Sequence, residues 1–172
     1  MKTIVIGAAL AAFATAASAH VTLETREAPV GASYKAVFKV PHGCKGAPTN
    51  VVRVKIPEGV IGVKPMPKPG WKLETVTGKY ARAYPYYHGV TLTEGVTEVV
   101  WSGGELPDAF YDEFVLQGFL TKDLNTEAPL YFPVVQECPG GAAARWIEIP
   151  AAGAPASELE APAPALKLLP AR

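Results

Sequence analysis

This sequence is poor in sulfur, in charge of either sign in excess, and in helical periodicity, and each shortage removes a class of function. Two cysteines and two methionines among 172 residues, with Met66 the only methionine beyond the first residue, argue against a methionine-rich site for a soft cation. Lysine and arginine number 16, aspartate and glutamate 16. No long basic run occurs, which argues against nucleic acid as a partner. After residue 19 no stretch is long and apolar enough to span a bilayer, and no segment carries a convincing 3.6-residue apolar stripe.

What is present starts with a leader. Lys2 precedes an uninterrupted run of apolar and small residues, Ile4 to Ala17, and Ala17-Ser18-Ala19 has the small-x-small form of a cleavage site. The run is too short and too alanine-rich for a membrane span, so residues 1–19 read as a secretory signal peptide. The protein is expected to be exported to the periplasm, with no membrane span in the mature chain. In an exported protein an even cysteine count favours a disulfide, Cys44 to Cys138. Closing so long a loop is worth about 4–5 kcal/mol in the chain-entropy model. The alternative is that one or both cysteines are metal thiolates.

The rest of the chain reads as all-β. Val21 and Leu23 share a face. Tyr34, Ala36, Phe38 and Val40 alternate with Lys35 and Lys39, and Val52, Val54 and Ile56 with Arg53 and Lys55. Further strands are expected over 72–77, 97–101, 113–120, 130–135 and 145–149. Residues 59–71, with Pro65, Pro67 and Pro69, read as a sheet edge or an ordered loop. Ser102-Gly103-Gly104 and Pro139-Gly140-Gly141 read as turns. Short strands split by Pro and Gly predict a β-sandwich of immunoglobulin-like or cupredoxin-like type over residues 20–150. From Ala151 the composition shifts to Ala and Pro, so 151–172 reads as a tail, loosely wrapped or disordered.

Cleavage after Ala19 would make His20 the first residue, and a terminal histidine can chelate a metal through its α-amine and ring Nδ1. Such nitrogen donors suit Cu(II). An ordinary α-amine titrates at about 7.7–8, so a metal competes with its proton near neutral pH. If 20–25 pairs with 34–40 in antiparallel fashion, His20 falls near Val40 and Pro41, beside His42 and Cys44. The disulfide brings Cys138 to the same end, and a hairpin around Pro139-Gly140-Gly141 sets Trp146 near Gln136. His42, then Glu24, Glu113 and Glu137, are candidates to complete the coordination. His88, after Tyr84, Tyr86 and Tyr87, fits a surface aromatic cluster better than a metal site. The three tryptophans, Trp71, Trp101 and Trp146, fit core positions, and one of them capping a metal is the alternative.

The order of several short motifs is familiar: a leader ending Ala-x-Ala, His20-Val21-Thr22-Leu23, Tyr34, Val40-Pro41, Ile56-Pro57-Glu58-Gly59, Pro69-Gly70-Trp71, Trp101-Ser102-Gly103-Gly104, Phe114, Phe132-Pro133 and Trp146. From His20 to about Pro150 the chain resembles the YcnI-like (YncI) copper-binding domain of bacteria. The resemblance implies a cupredoxin-like sandwich in copper homeostasis, with partners among envelope copper chaperones or copper-transport proteins. It implies Cu(II) held by the amine and ring of His20, with a carboxylate and a nearby tryptophan, here Trp146. The family's acidic residue after Val-Pro is missing, and His42-Gly43-Cys44 stands there instead.

The leading expectation is therefore a non-enzymatic copper carrier with site residues His20, Trp146, His42 and Glu113. The alternative is a copper-dependent polysaccharide monooxygenase, which needs a second histidine from His42 or His88. A blue-copper electron carrier needs a thiolate, and a purely structural sandwich predicts no metal binding.

Overall fold

Period-two alternation puts one face of each strand into a core, and that face decides which strands can meet. A computed structural model describes residues 20–171; the leader expected at 1–19 lies outside the described residues. In chain order the strands are β1 (Thr22–Leu23), β2 (Glu27–Pro29), β3 (Ala32–Val40), β4 (Thr49–Lys55), β5 (Val60–Pro65), β6 (Lys72–Pro85), β7 (Thr91–Leu106), β8 (Asp112–Leu120), β9 (Leu130–Tyr131), β10 (Val134–Glu137), β11 (Ala143–Trp146) and β12 (Ala165–Leu169). One antiparallel sheet has the order β1-β3-β8-β5 and a second β11-β10-β4-β7-β6. A small third sheet, β2-β12-β9, pairs β12 parallel to β2 and antiparallel to β9.

The first two sheets enclose one hydrophobic core, making an all-β sandwich with no α-helix among the described residues. Phe38, Phe114 and Leu116 come from the first, and Val52, Val54, Val99 and Trp101 from the second, all buried. Fully burying a large apolar side chain is worth about 1.5–3 kcal/mol, so this shared interior is what holds the sheets face to face. Trp101 lies wholly inside, its indole N–H donating to the Met66 carbonyl at 3.1 Å.

The strand pattern holds where alternation is strong and fails at its margins. Residues 60–65 form β5 at the edge of the first sheet, the place that Pro65 allows. Residues 130–135 do not form one strand. Leu130–Tyr131 joins the third sheet and Val134 begins β10 in the second, with buried Phe132 between them. Ser102-Gly103-Gly104 is not a turn but lies inside β7, where the β4 register shifts by a bulge between Thr49 and Val51. The strand expected at 72–77 runs on to Pro85.

The expected tail is also corrected. Residues 165–169 are strand β12, with Leu166 and Leu168 buried, and the amides of Ile147 and Glu148 donate to the Ala161 carbonyl. The domain thus continues well past residue 150. Leu166-Lys167-Leu168 is too short an alternation to stand alone. It becomes a strand because β2 and β9 offer backbone partners on both sides.

Candidate metal centre

The register of the first sheet carries His20 to its neighbours. Thr22 pairs with Lys39 and Leu23 with Phe38, so continuing the ladder sets Val21 against Val40 and His20 against Pro41. The His20 and Trp146 ring centroids lie 5.3 Å apart, tilted at 54°. The His42 ring meets the same indole edge-on at 6.4 Å. Two histidines from the same end of one antiparallel strand pair, one before β1 and one after β3, thereby share one tryptophan.

Trp146 closes β11, the edge strand of the second sheet, paired with Val134. It is nearly buried, at 8% exposure, so its indole N–H needs a partner. That partner is Gln136, two residues along the neighbouring strand, whose Oε1 accepts at 2.6 Å. The Gln136 amide nitrogen in turn donates to the His42 carbonyl at 2.8 Å and to Thr49 Oγ1 at 2.9 Å. An unpaired buried polar group costs about 1–3 kcal/mol, and this arrangement leaves none of these groups unpaired.

The His42 loop is held from its other end as well. Cys44 and Cys138 form a disulfide across 94 residues with a Cα–Cα distance of 6.2 Å. Both cysteines are buried. Cys44 and Ala47 exchange backbone hydrogen bonds of 2.8 and 3.1 Å. The chain folds back so tightly here that a Cβ on Gly43 would sit 1.9 Å from the Ala47 carbonyl oxygen. His42 Nδ1 lies 2.6 Å from the Gly43 carbonyl oxygen. A carbonyl can only accept, so Nδ1 carries the proton and the lone pair of the neutral ring is on Nε2.

Of the expected site residues, His20, His42 and Trp146 come together, beside the Cys44–Cys138 bridge. Glu113 does not join them. On β8 it pairs with Lys39 of β3, two strands across from Thr22, a separation of about 10 Å. Its carbonyl accepts from Lys68 at 3.2 Å. Glu24 is exposed just after β1, and the Glu137 carboxylate pairs with Arg53. His88 is exposed at the tip of the β6–β7 hairpin, and β6 is the edge of the second sheet opposite β11. Among the described residues no three side chains of the His, Cys, Asp and Glu types form a ready ligand group.

Gln136 and Thr49 are the site residues that sequence reasoning missed. The signal was present: Val134, Gln136 and Cys138 share the inward phase of β10, so the strand pattern points a glutamine into the core. Beside His20 a groove is bordered by Leu23, Arg26, Pro162 and Ala163, and the segment expected as a tail supplies one wall.

Two imidazoles lie close to one indole at this end of the fold, and imidazole nitrogens are donors of the type that Cu(II) accepts. The arrangement does not fit a blue-copper centre. Both cysteines are consumed in the disulfide, which also overturns the metal-thiolate alternative. The disulfide is the bond of an oxidising compartment. No helix among the described residues is long and apolar enough to cross a membrane.

Antiparallel sheets around one core, stapled by a disulfide, place the molecule among immunoglobulin-like β-sandwich domains. A solved relative has that fold: the chain is similar to an uncharacterised protein from Nocardia farcinica whose crystal structure reveals an immunoglobulin-like fold. The two are 25% identical, with a TM-score of 0.63 over 87% of this chain and 97% of that one. The chain itself belongs to the family described as a domain of unknown function (DUF1775), matched over residues 20–168. That match ends within β12, in keeping with the place of this strand in the domain. No curated protein matches the chain.

Proposed function

We propose that this protein is an exported copper carrier of the periplasm, released from a signal peptide at residues 1–19, that holds Cu(II) at His20 and passes it to another envelope protein. The observation that carries the reading is the packing of the His20 and His42 rings on the Trp146 indole at one end of the sandwich. The α-amine and Nδ1 of His20 close a chelate ring, and His42 stands where the YcnI-like pattern has its carboxylate. Copper is cargo here. An end-on site with few protein ligands suits exchange better than storage, and the next envelope copper protein is the partner.

The test is one residue long. An additional Ala placed before His20 in the mature protein moves the amine away from the ring. Cu(II) affinity measured by competition is expected to collapse, and unchanged affinity rules out the terminal chelate. Electron paramagnetic resonance of the processed protein, compared with His20→Ala and His42→Ala, counts the nitrogen donors.

The position of His42 beside the same indole also favours a second reading, a copper monooxygenase with a two-histidine brace. Reductant-dependent peroxide or oxidised-sugar formation by the copper-loaded protein distinguishes it from a carrier.

A further inference from the structure

Three polar side chains are buried among the described residues, Thr49, Thr121 and Gln136, and two of them belong to one network. Gln136 sits where an apolar residue would cost less to desolvate, with Val52 opposite it on β4 and Val134 sharing its face, both fully buried. Its amide can take only one orientation. The Trp146 indole N–H can only donate, so Oε1 must face it; the His42 carbonyl can only accept, so Nε2 must face that. Both amide hydrogens are used, the second on Thr49 Oγ1. The same two segments are joined again two residues further along each, by the Cys44–Cys138 bridge. Position 42/136 is thus a polar cross-link and position 44/138 a covalent one.

We propose that Gln136 is the positioning residue of this site. One side chain fixes both the indole on which His20 packs and the loop that presents His42, so the two histidines keep a constant relation. The inference rests on the copper reading for what the site binds, while the positioning is a property of the metal-free protein.

The test uses the processed protein with Gln136→Leu, Gln136→Glu and His20→Ala. In the metal-free form, the indole N–H resonance of Trp146 reports the hydrogen bond, and those of Trp71 and Trp101 report the fold. Gln136→Leu is expected to move the Trp146 resonance alone and to weaken Cu(II) binding about 10–100-fold, the usual cost of losing a group that orients a ligand. Gln136→Glu keeps an acceptor for the indole and sets a carboxylate against the His42 carbonyl. Its Trp146 resonance should stay, and Cu(II) binding should still weaken. If Gln136→Leu does not fold, the Glu variant carries the test. Unchanged Cu(II) affinity in the folded Gln136 variants, with binding abolished in His20→Ala, overturns the positioning role and leaves the copper reading standing. Equal affinity in wild type and His20→Ala overturns the copper reading, and the Trp146 resonance then decides the positioning role alone.

Discussion

At the Leu106 end of β7, His42 and Trp146 are tied into the fold; at the Thr91 end, His88 stands among tyrosines at an open hairpin tip. Both ends are rich in rings. Tyr86, Tyr87 and Phe119 meet in tilted and edge-to-face pairs with centroids 4.8 to 5.9 Å apart, and Tyr80 packs on Tyr84 at 5.6 Å. Glu58 accepts from the Tyr84 hydroxyl and the Ala81 amide. Yet His88 is exposed, with its backbone in the left-handed region at φ 57°. At the other end a buried amide and a disulfide hold the ring-bearing segments. The difference teaches that ring density does not make a site. A histidine is held in place when the backbone that carries it is itself cross-linked.

The strongest way to break that contrast is to cut the covalent link. The Cys44→Ser/Cys138→Ser double variant should lose about 4–5 kcal/mol of stability for a 94-residue separation, read from urea unfolding. Cu(II) affinity should fall with it, while the tyrosine resonances of the hairpin stay in place. Next comes the proposed ligand. His20→Ala should weaken Cu(II) binding by about 100-fold or more, roughly 2.7 kcal/mol, whereas His88→Ala should leave it unchanged in the same competition assay. Comparable losses in both would erase the distinction between the two ends.

A smaller effect is expected from disturbing the hairpin. A Cβ on Gly95 would lie 1.9 Å from the Tyr80 hydroxyl, so Gly95→Ala must displace that ring. The cost should be about 1–3 kcal/mol, as for other overpacked sites, with Cu(II) affinity preserved. A matching loss of affinity would couple the two ends.

The smallest effect belongs to neither end. Tyr34, on β3, is buried, and its hydroxyl donates to the Thr25 carbonyl at 2.6 Å. Burial pushes its phenol well above the usual range. The unfolded chain releases this proton near pH 10, whereas the folded chain keeps it to higher pH. The stability it contributes is therefore complete below about pH 10 and is lost as pH rises above that. Urea midpoints followed from pH 8 to 11 should fall at the alkaline end, and Tyr34→Phe should flatten the fall. At neutral pH that variant should cost about 0.5–1.5 kcal/mol through the lost hydrogen bond.

Much of the fold was legible where two-residue alternation was clean. Tyr34 to Val40 and Val52 to Ile56 show their inward faces directly, and antiparallel geometry then brought His20 to Pro41 and Trp146 to Gln136. Other parts were illegible for identifiable reasons. The β6–β7 ribbon extends through Ala81, Arg82 and Ala83, all three exposed, so no inward–outward alternation marks it. The bulge at Ser102-Gly103-Gly104 looks like a turn because glycines mark both. Phe132-Pro133 gives no hint that the chain changes sheets there.

By itself the sequence determined an all-β sandwich, favoured a disulfide between its two cysteines and pointed to the meeting of His20, His42 and Trp146, because strand period, cysteine count and hairpin register are local or nearly local rules. Tertiary structure decided which polar groups share the interior. It turned Gln136 from an inward-phase anomaly into the partner of Trp146 and His42, set Glu113 on a different strand row, and made a strand of the Ala- and Pro-rich end. These outcomes depend on backbone and side-chain partners far away in the chain, and a polar group's place is fixed only when its distant partner is.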